Sequence, residues 1–294
     1  REGKHGLPLL DRVPQNSVDA IAISHCHHDH VGALPVALRR FPHANVLMTE
    51  LSYFLVERIL HNSVNVMQRQ RDEQGIREYP LYTHEEVDDY AAVIMGYQYG
   101  RQVEWTHPHR RKSGKTMPTL EFLDAGHTLG SAGVMVRGAK ESLLYSGDVC
   151  FHDQTILRGA DFGDARADVL ILETTRGARA AVPGVTRETE IERLLTSVSA
   201  TFKRKGSVLI PAFGLGRTQE ILAQLALWMA QGKLKRQPVY IGGLGKVFSE
   251  IYDLESHRAN RSHRNLKLTE ALDLRVLSVN QVASLRLATP HLFV

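Results

Sequence analysis

The sequence predicts an α/β protein, and three observations support that prediction. Apolar runs typical of strands recur along the chain, helical patterns intervene between them, and most of the runs end in a short polar loop. Near-continuous apolar strands are typical of sheets covered on both faces, and their alternation with helices favours layered packing. The 294 residues, 43% hydrophobic and 23% charged, suffice for one large domain or two smaller ones.

The predicted strands share an apolar run that leads into a polar loop. SHCHHDHVG follows the first of them, and AGHTLGSAG, SGD, ETTRG and PAFGLGR follow later ones. Polar side chains gathered after several strands indicate where a functional site can form. The strands are expected at residues 18–23, 45–48, 120–123, 142–145, 169–172 and 207–210.

The helical segments carry apolar residues at helix spacing. Thr83 followed by Glu86 is a capping box, which predicts that one helix begins at this point. The helices are expected at residues 51–73, 85–95, 187–203 and 217–231.

A polar, basic connector, QGKLKRQ at residues 231–237, suggests a domain boundary. A new strand-like run, PVYIGG, and a helical pattern follow it. We therefore predict one domain at residues 1–234 and part of a second domain at residues 235–294. Because the last residues, TPHLFV, read as a core strand, we expect the chain to be truncated there.

The composition favours a cytoplasmic protein. No apolar run approaches the roughly 18 residues that span a bilayer, so no membrane association is expected. The two cysteines, Cys26 and Cys150, form no C-x-x-C pair and no disulfide framework, which favours a reducing compartment.

The formal net charge is +4. Short basic clusters are expected at the solvated surface, although a surface that tracks phosphates stays open as the alternative. These clusters lie at residues 110–112, 203–205, 233–236 and 258–264.

The run SHCHHDHVG, at residues 24–32, holds four histidines and an aspartate directly after the first predicted strand. Residues two apart in an extended segment point to the same side, so His25 and His27 can bind one ion. Asp29 and His30 lie one step further along the loop and can reach a second ion. Imidazole and carboxylate together suit zinc or another borderline divalent metal. The run therefore predicts a metal centre.

Cys26 and His28 inside the run, and five histidines later in the chain, are expected to lie outside this centre. Cys26 and His28 occupy the alternate positions and are predicted to make packing or supporting contacts. His107 and His109 flank a proline in a basic segment, which predicts an exposed loop, with contact to a polyanion as the alternative. Surface or linker positions are expected for His257, His263 and His291.

The H-x-H-x-D-H pattern resembles the metallo-β-lactamase superfamily, whose fold has four αββα layers. His127 in GHTLGSA resembles the third motif of this superfamily, and Asp148 in YSGD resembles the fourth, where an aspartate bridges two metals. The resemblance implies two zinc ions per chain. The implied ligands fall into two sets, with His25, His27 and His127 on one ion, Asp29 and His30 on the other, and Asp148 between them.

Two later segments resemble the β-CASP nucleases, which include RNase J and the cleavage-and-polyadenylation endonucleases. LETT at residues 172–175 resembles their motif A, and PAFGLGRTQE at residues 211–220 resembles the segment before their inserted domain. The resemblance implies that Glu173 takes part in proton delivery to the leaving oxygen. Asp29 could also orient the attacking hydroxide as a base.

The chain departs from the β-CASP pattern in three ways. An aspartate on an early strand is missing, and the resemblance therefore implies that the first strands of the catalytic domain at residues 1–234 are missing. Arg176 stands where an aromatic residue is common, and motifs B and C with their later histidines are absent. The absent motifs leave open whether this form is active. They also leave RNA and DNA unresolved as substrates.

The resulting prediction is a zinc-dependent nuclease that binds nucleic acid, with RNA preferred over DNA and either internal or terminal cleavage left open. A DNA-directed nuclease and a non-catalytic nucleic-acid-binding homologue are the alternatives. A small-ester hydrolase would explain the metal ligands but not Glu173 or PAFGLGR. The sequence leaves the choice between a monomer and a homodimer open.

Overall fold

A computed structural model describes residues 3–105, 117–180, 182–277, 281 and 290–294. Within them the chain forms two compact units, and the predicted α/β class is confirmed. The predicted domain boundary after residue 234 stays a prediction. Unit 1 comprises Arg1–His152 and Gly159–Glu173, and unit 2 comprises Asp153–Arg158 and Thr174–Val294.

The helices that the structure describes in unit 1 all lie before Ala92. Thr49 caps the longest, because its hydroxyl accepts a hydrogen bond from the backbone N–H of Ser52 at 3.1 Å. The capping box of Thr83 and Glu86 is present as predicted. In chain order the helices are α1 (His28–Val31), α2 (Leu34–Arg40), α3 (Glu50–Gln74) and α4 (His84–Ala91), after short 3₁₀ turns at Gly3–Gly6 and Leu10–Arg12.

Unit 1 contains two sheets. The first is parallel, with the order β1-β2-β3, and the second has the order β4-β5-β6-β7-β8 and is antiparallel except for the parallel pair β7-β8. The strands are β1 (Ala20–Ala22), β2 (Asn45–Thr49), β3 (Ile94–Tyr97), β4 (Val103–Glu104), β5 (Thr119–Asp124), β6 (Ala132–Arg137), β7 (Ser142–Tyr145) and β8 (Val169–Ile171).

The core of unit 1 lies between its sheets. Leu47 of β2 packs with Leu120 and Phe122 of β5 and with Val134 of β6. Successive strand residues face opposite sides, so Leu123 turns to the other face of the second sheet, where it clusters with buried side chains of β6 and β7. Apolar contacts on both faces explain why these strands read as continuous apolar runs.

Unit 2 holds a parallel sheet with the order β11-β10-β12-β9. Its short segment Asp153–Arg158 is bound within the unit, because Glu220 accepts the backbone N–H groups of Thr155 and Ile156 at 2.8 and 3.0 Å. The elements are β9 (Val208–Leu209), β10 (Val239–Ile241), β11 (Leu274–Val276), β12 (Leu292–Phe293), α5 (Arg187–Lys203), α6 (Arg217–Ala230), α7 (Gly243–Leu254) and α8 (Leu268–Ala271), with a 3₁₀ turn at Glu255–His257.

One predicted helix is too long. The pattern over residues 85–95 predicts helix to the end, but α4 ends at Ala91 and Ile94 begins β3. Ile94 pairs with Val46 of β2 and is buried. Strand pairing and burial at Ile94 therefore outweigh the helical pattern.

Along the described residues, none of the helices is both long and apolar enough to cross a bilayer.

Candidate metal centre

The first ligand segment lies at the carboxyl end of β1. Residues 23–26 belong to no helix or strand. His27 has an extended backbone and is the residue before α1, so Asp29 and His30 fall in the first turn of that helix. The backbone of Ser24 is held because its carbonyl accepts the N–H of Ala132 at 2.7 Å. The run therefore passes from strand to helix within a few residues, and its polar side chains all lie near the carboxyl end of β1.

Four predicted ligands converge in the structure. Their ligand atoms all lie within 4.8 Å of one another. Nδ1 of His27 lies 3.1 Å from Nε2 of His25 and 3.2 Å from Nε2 of His127. Oδ2 of Asp148 lies 3.8 Å from Nε2 of His25 and 3.6 Å from Nε2 of His127. Ligands about 2.1 Å from a tetrahedral zinc stand roughly 3.4 Å apart, so this donor set fits one zinc ion.

The other two predicted ligands adjoin this group through Asp148. Nε2 of His30 lies 3.4 Å from Oδ1 of Asp148 and 3.5 Å from Oδ2 of Asp29. The two oxygens of Asp148 therefore face different ligand sets. Such a carboxylate fits the bridge between two ions that the family resemblance implies.

His25 stays a neutral imidazole in this environment. Burial is the largest effect, and the neighbouring rings of His30, His27 and His127 add to it, so that the pKa of His25 falls to about 2. Neutral imidazole is the form that binds metals.

Ser24 is a supporting residue that the sequence analysis missed. Its buried hydroxyl lies 3.3 Å from Nδ1 of His25 and 3.2 Å from Nδ1 of His30. A group that bonds the second ring nitrogen fixes the orientation of a ligand histidine. Its position directly before the motif, at the strand end, is the signal that could have found it.

The loop that carries His127 is held by side-chain hydroxyls. The backbone N–H groups of His127 and Thr128 donate to Oγ of Ser131 at 2.9 and 3.1 Å. The hydroxyls of Thr49 and Ser52 donate to the carbonyl of Gly130 at 2.7 and 2.9 Å. The start of α3 therefore fixes the loop after β5.

Gly126 allows this loop to turn. Its φ is +63°, in the left-handed region that favours glycine. A Cβ there would lie 2.4 Å from the backbone nitrogen of Ala160 and 2.7 Å from the carbonyl oxygen of Cys150. Since both are backbone atoms, no other residue fits without moving the chain.

Glu173 follows β8 and lies beside the Asp148 loop. Its Oε1 accepts the backbone N–H of Val149 at 3.1 Å, and its own backbone N–H donates to Oγ of Ser146 at 3.1 Å. Glu173 therefore contacts Val149, the residue that follows the predicted bridging ligand Asp148 in the sequence.

The alternate residues of the first run make contacts of other kinds. The thiol of Cys26 is fully buried and donates to the carbonyl of Ser52 at 3.3 Å, and burial raises its pKa to about 12. Nε2 of His28 lies 2.6 Å from Oγ of Ser63.

Several other predictions concern residues away from the centre. The loop predicted at His107 and His109 and the basic cluster at residues 110–112 fall outside the described residues. His257 and His263 are exposed as expected. Arg261, expected at the surface, is instead 2% exposed.

A family model supports the resemblance seen in the motifs. Residues 2–185 match the model described as the metallo-beta-lactamase superfamily. The matched range includes all the predicted ligands and Glu173, and the predicted family resemblance is confirmed.

Curated relatives are similar over most of this chain. The cleavage and polyadenylation specificity factor subunit 3 of Dictyostelium discoideum is 31% identical over 85% of the chain. A ribonuclease of Thermus thermophilus is 32% identical over 79%, and the endoribonuclease Ysh1 of Mycosarcoma maydis is 28% identical over 88%. The chain spans 31%, 48% and 28% of these three relatives, respectively.

Proposed function

The chain belongs to the metallo-beta-lactamase superfamily, and from that premise we propose that it is a zinc-dependent nuclease that hydrolyses RNA. The observation that carries the proposal is the convergence of His25, His27, His127 and Asp148 to within 4.8 Å. The names of the relatives, which include a ribonuclease and an endoribonuclease, support RNA as the substrate.

Two ions are proposed, with Asp148 shared between them. The first would be bound by His25, His27 and His127, and the second by Asp29 and His30. The different partners of the two Asp148 oxygens support this division. Divalent ions bound in this way would supply an acidified water and offset negative charge on the phosphoryl oxygens.

The side chains of the protein then have separate tasks. Asp29 is 79% exposed at its side chain, so its carboxylate is open to solvent and can accept a proton from the attacking water. Ser24 holds the rings of His25 and His30 in position. Glu173 lies beside the Asp148 loop, where it supports proton delivery to the leaving oxygen.

The experiment below also distinguishes the two alternatives that the sequence left open. A DNA-directed nuclease would use the same ligands, and a non-catalytic homologue would bind nucleic acid without cleaving it. The convergent ligand set favours catalysis over binding alone. The two free cysteines support a cytoplasmic location.

The test measures how fast the zinc-loaded chain cleaves RNA and DNA oligonucleotides of the same sequence. Each oligonucleotide is labelled at one end, in separate samples for the two ends. We expect cleavage of the RNA, loss of cleavage after chelation, and recovery when zinc is restored. Faster cleavage of the DNA would overturn the choice of substrate. If the zinc-loaded chain binds the RNA but does not cleave it, the nuclease proposal is wrong and the non-catalytic homologue is favoured. The lengths of the labelled products distinguish internal from terminal cleavage.

A further inference from the structure

Helices α3 and α4 carry a second group of imidazole and carboxylate side chains, which shares no residue with the metal centre. We call Glu57, His61, His84 and Asp88 the second cluster. We propose that Glu57, His61 and Asp88 form an additional site for one divalent cation of the zinc class, which ties α4 to α3, and that His84 orients His61.

The spacing along each helix supports the site. Glu57 and His61 are four residues apart on α3, and His84 and Asp88 are four residues apart on α4. Side chains at this spacing lie on the same helix face. Each helix therefore presents one carboxylate and one imidazole toward the other.

The ligand distances fit a single ion. The ligand atoms of Glu57, His61 and Asp88 all lie within 4.8 Å of one another. Nε2 of His61 is 3.0 Å from Oδ1 of Asp88 and 3.8 Å from Oε1 of Glu57. These values lie on either side of the roughly 3.4 Å expected between ligands of a tetrahedral zinc.

His84 occupies the supporting position. Its Nδ1 lies 2.8 Å from Nδ1 of His61, and the two rings stack with centroids 5.1 Å apart. Nε2 of His61 is the nitrogen that faces the carboxylates, so Nδ1 can donate its proton to His84. A ligand histidine commonly donates its second ring N–H to such a partner.

The charge and the exposure of the cluster suit a cation from solvent. Two carboxylates offset the charge of a divalent ion. Their side chains are 48% exposed for Glu57 and 64% for Asp88, whereas His61 is 24% exposed. An ion can therefore enter without unfolding, while the imidazole is held by its surroundings.

Helix α4 has other anchors, so we expect it to stay folded when one ligand is removed. Nε of Arg39 donates to Oε1 of Glu86 at 2.6 Å, and the capping box closes the start of the helix. Val87 is buried beneath it. Variants of the second cluster thus test metal binding rather than folding.

The experiment measures zinc bound per chain after equilibrium dialysis, using the full chain and elemental analysis. We expect His61→Ala, Asp88→Asn and Glu57→Gln each to lower the content by about one equivalent, the occupancy of a single site. His43→Ala is the matched control, because His43 is an exposed histidine outside the cluster. We expect His43→Ala to bind as much zinc as the unaltered chain.

A second background separates this site from the metal centre. In the His27→Ala/His30→Ala/Asp148→Ala variant, which removes ligands of both proposed ions of the metal centre, about one equivalent should remain, and adding His61→Ala should remove it. Equal zinc contents in His61→Ala and His43→Ala would overturn the proposal. A loss with His61→Ala but none with Asp88→Asn and Glu57→Gln would overturn the ligand set. In the first case His84, His61 and Asp88 would form a hydrogen-bonded relay without a metal.

Discussion

The candidate metal centre and the second cluster have similar ligand distances but are built in different ways. In the metal centre, the proposed ligands follow β1, β5 and β7, and the imidazole of His25 is fully buried. In the second cluster, the ligands come from the exposed faces of α3 and α4. The first arrangement depends on turns and supporting hydroxyls, and the second depends on helix periodicity and on the packing of α3 against α4.

This difference shows what each arrangement can do. Loops at strand ends bring residues far apart in sequence to one point, so the oxygens of Asp148 face two ligand sets. Two i,i+4 pairs on neighbouring helices can supply only a few ligands at a surface. A site for chemistry is therefore expected in the first region, and a site for holding structure in the second.

The largest expected effect comes from Asp148. Asp148→Asn removes the charge shared by both proposed ions, and we expect cleavage to fall by more than about 100-fold, since loss of a supporting residue alone costs about 10- to 100-fold. The matched variant Asp88→Asn in the second cluster should retain cleavage. Single-turnover RNA cleavage measures both, and equal losses would remove the distinction between the two regions.

The next effect concerns the turns. Gly126→Ala places a Cβ 2.4 Å from a backbone nitrogen at positive φ, and we expect it to lower the free energy of unfolding by roughly 3 kcal/mol. Gly75 ends α3 at a φ of +72° with nothing near its Cβ position, so Gly75→Ala should cost about 1 kcal/mol. Urea unfolding compares them, and a larger loss with Gly75→Ala would contradict the difference.

Ser24 tests the supporting hydrogen bonds. We expect Ser24→Ala to weaken zinc binding at the metal centre by about 10- to 100-fold, because two ligand rings lose their partner. Ser63→Ala is the control, since Ser63 contacts His28 rather than a predicted ligand. Zinc titration against a competing chelator measures the affinity. Similar affinities for both variants would mean that Ser24 only fills space.

The smallest effect is a pH dependence at the end of β5. Burial, which outweighs the hydrogen bond from Gly126 and is reinforced by the charge of Asp161, raises the pKa of Asp124 to about 6 from a usual 3.8. Because the folded state binds this proton more tightly, its contribution to stability is complete below about pH 4 and is lost as the pH rises through 6.

In the metal-free chain, Asp124→Asn should remove that loss, which amounts to roughly 1 to 3 kcal/mol between pH 4 and 7. Urea unfolding over this range measures it for both proteins. A stability difference that stays constant with pH would refute the role of Asp124.

Much of the fold and of the candidate centre could be predicted from the sequence, for a local reason. The ligand run follows β1 directly, and strand geometry alone pairs His25 with His27. Helix α5 and strand β7 match the predicted residues 187–203 and 142–145. His127 and Asp148 needed the family resemblance, because a lone histidine or aspartate after a strand has no distinctive spacing.

Features that depend on tertiary contacts could not be predicted. The two i,i+4 pairs of the second cluster are visible on separate predicted helices, but only the packing of α3 against α4 brings His61 within 3.0 Å of Asp88. Burial of Arg261 also has no local signal. The end of α4 was missed because pairing with β2 decides the conformation of Ile94.

The chain's path between its units has a consequence for dissecting the protein. Residues 153–158 belong to unit 2, although unit 1 precedes and follows them in sequence. A cut after Glu173 would remove Glu220, the acceptor for the N–H groups of Thr155 and Ile156. A single cut therefore does not yield unit 1 as a separate fragment. To express unit 1 alone, residues 153–158, which belong to unit 2, must be replaced by a short linker.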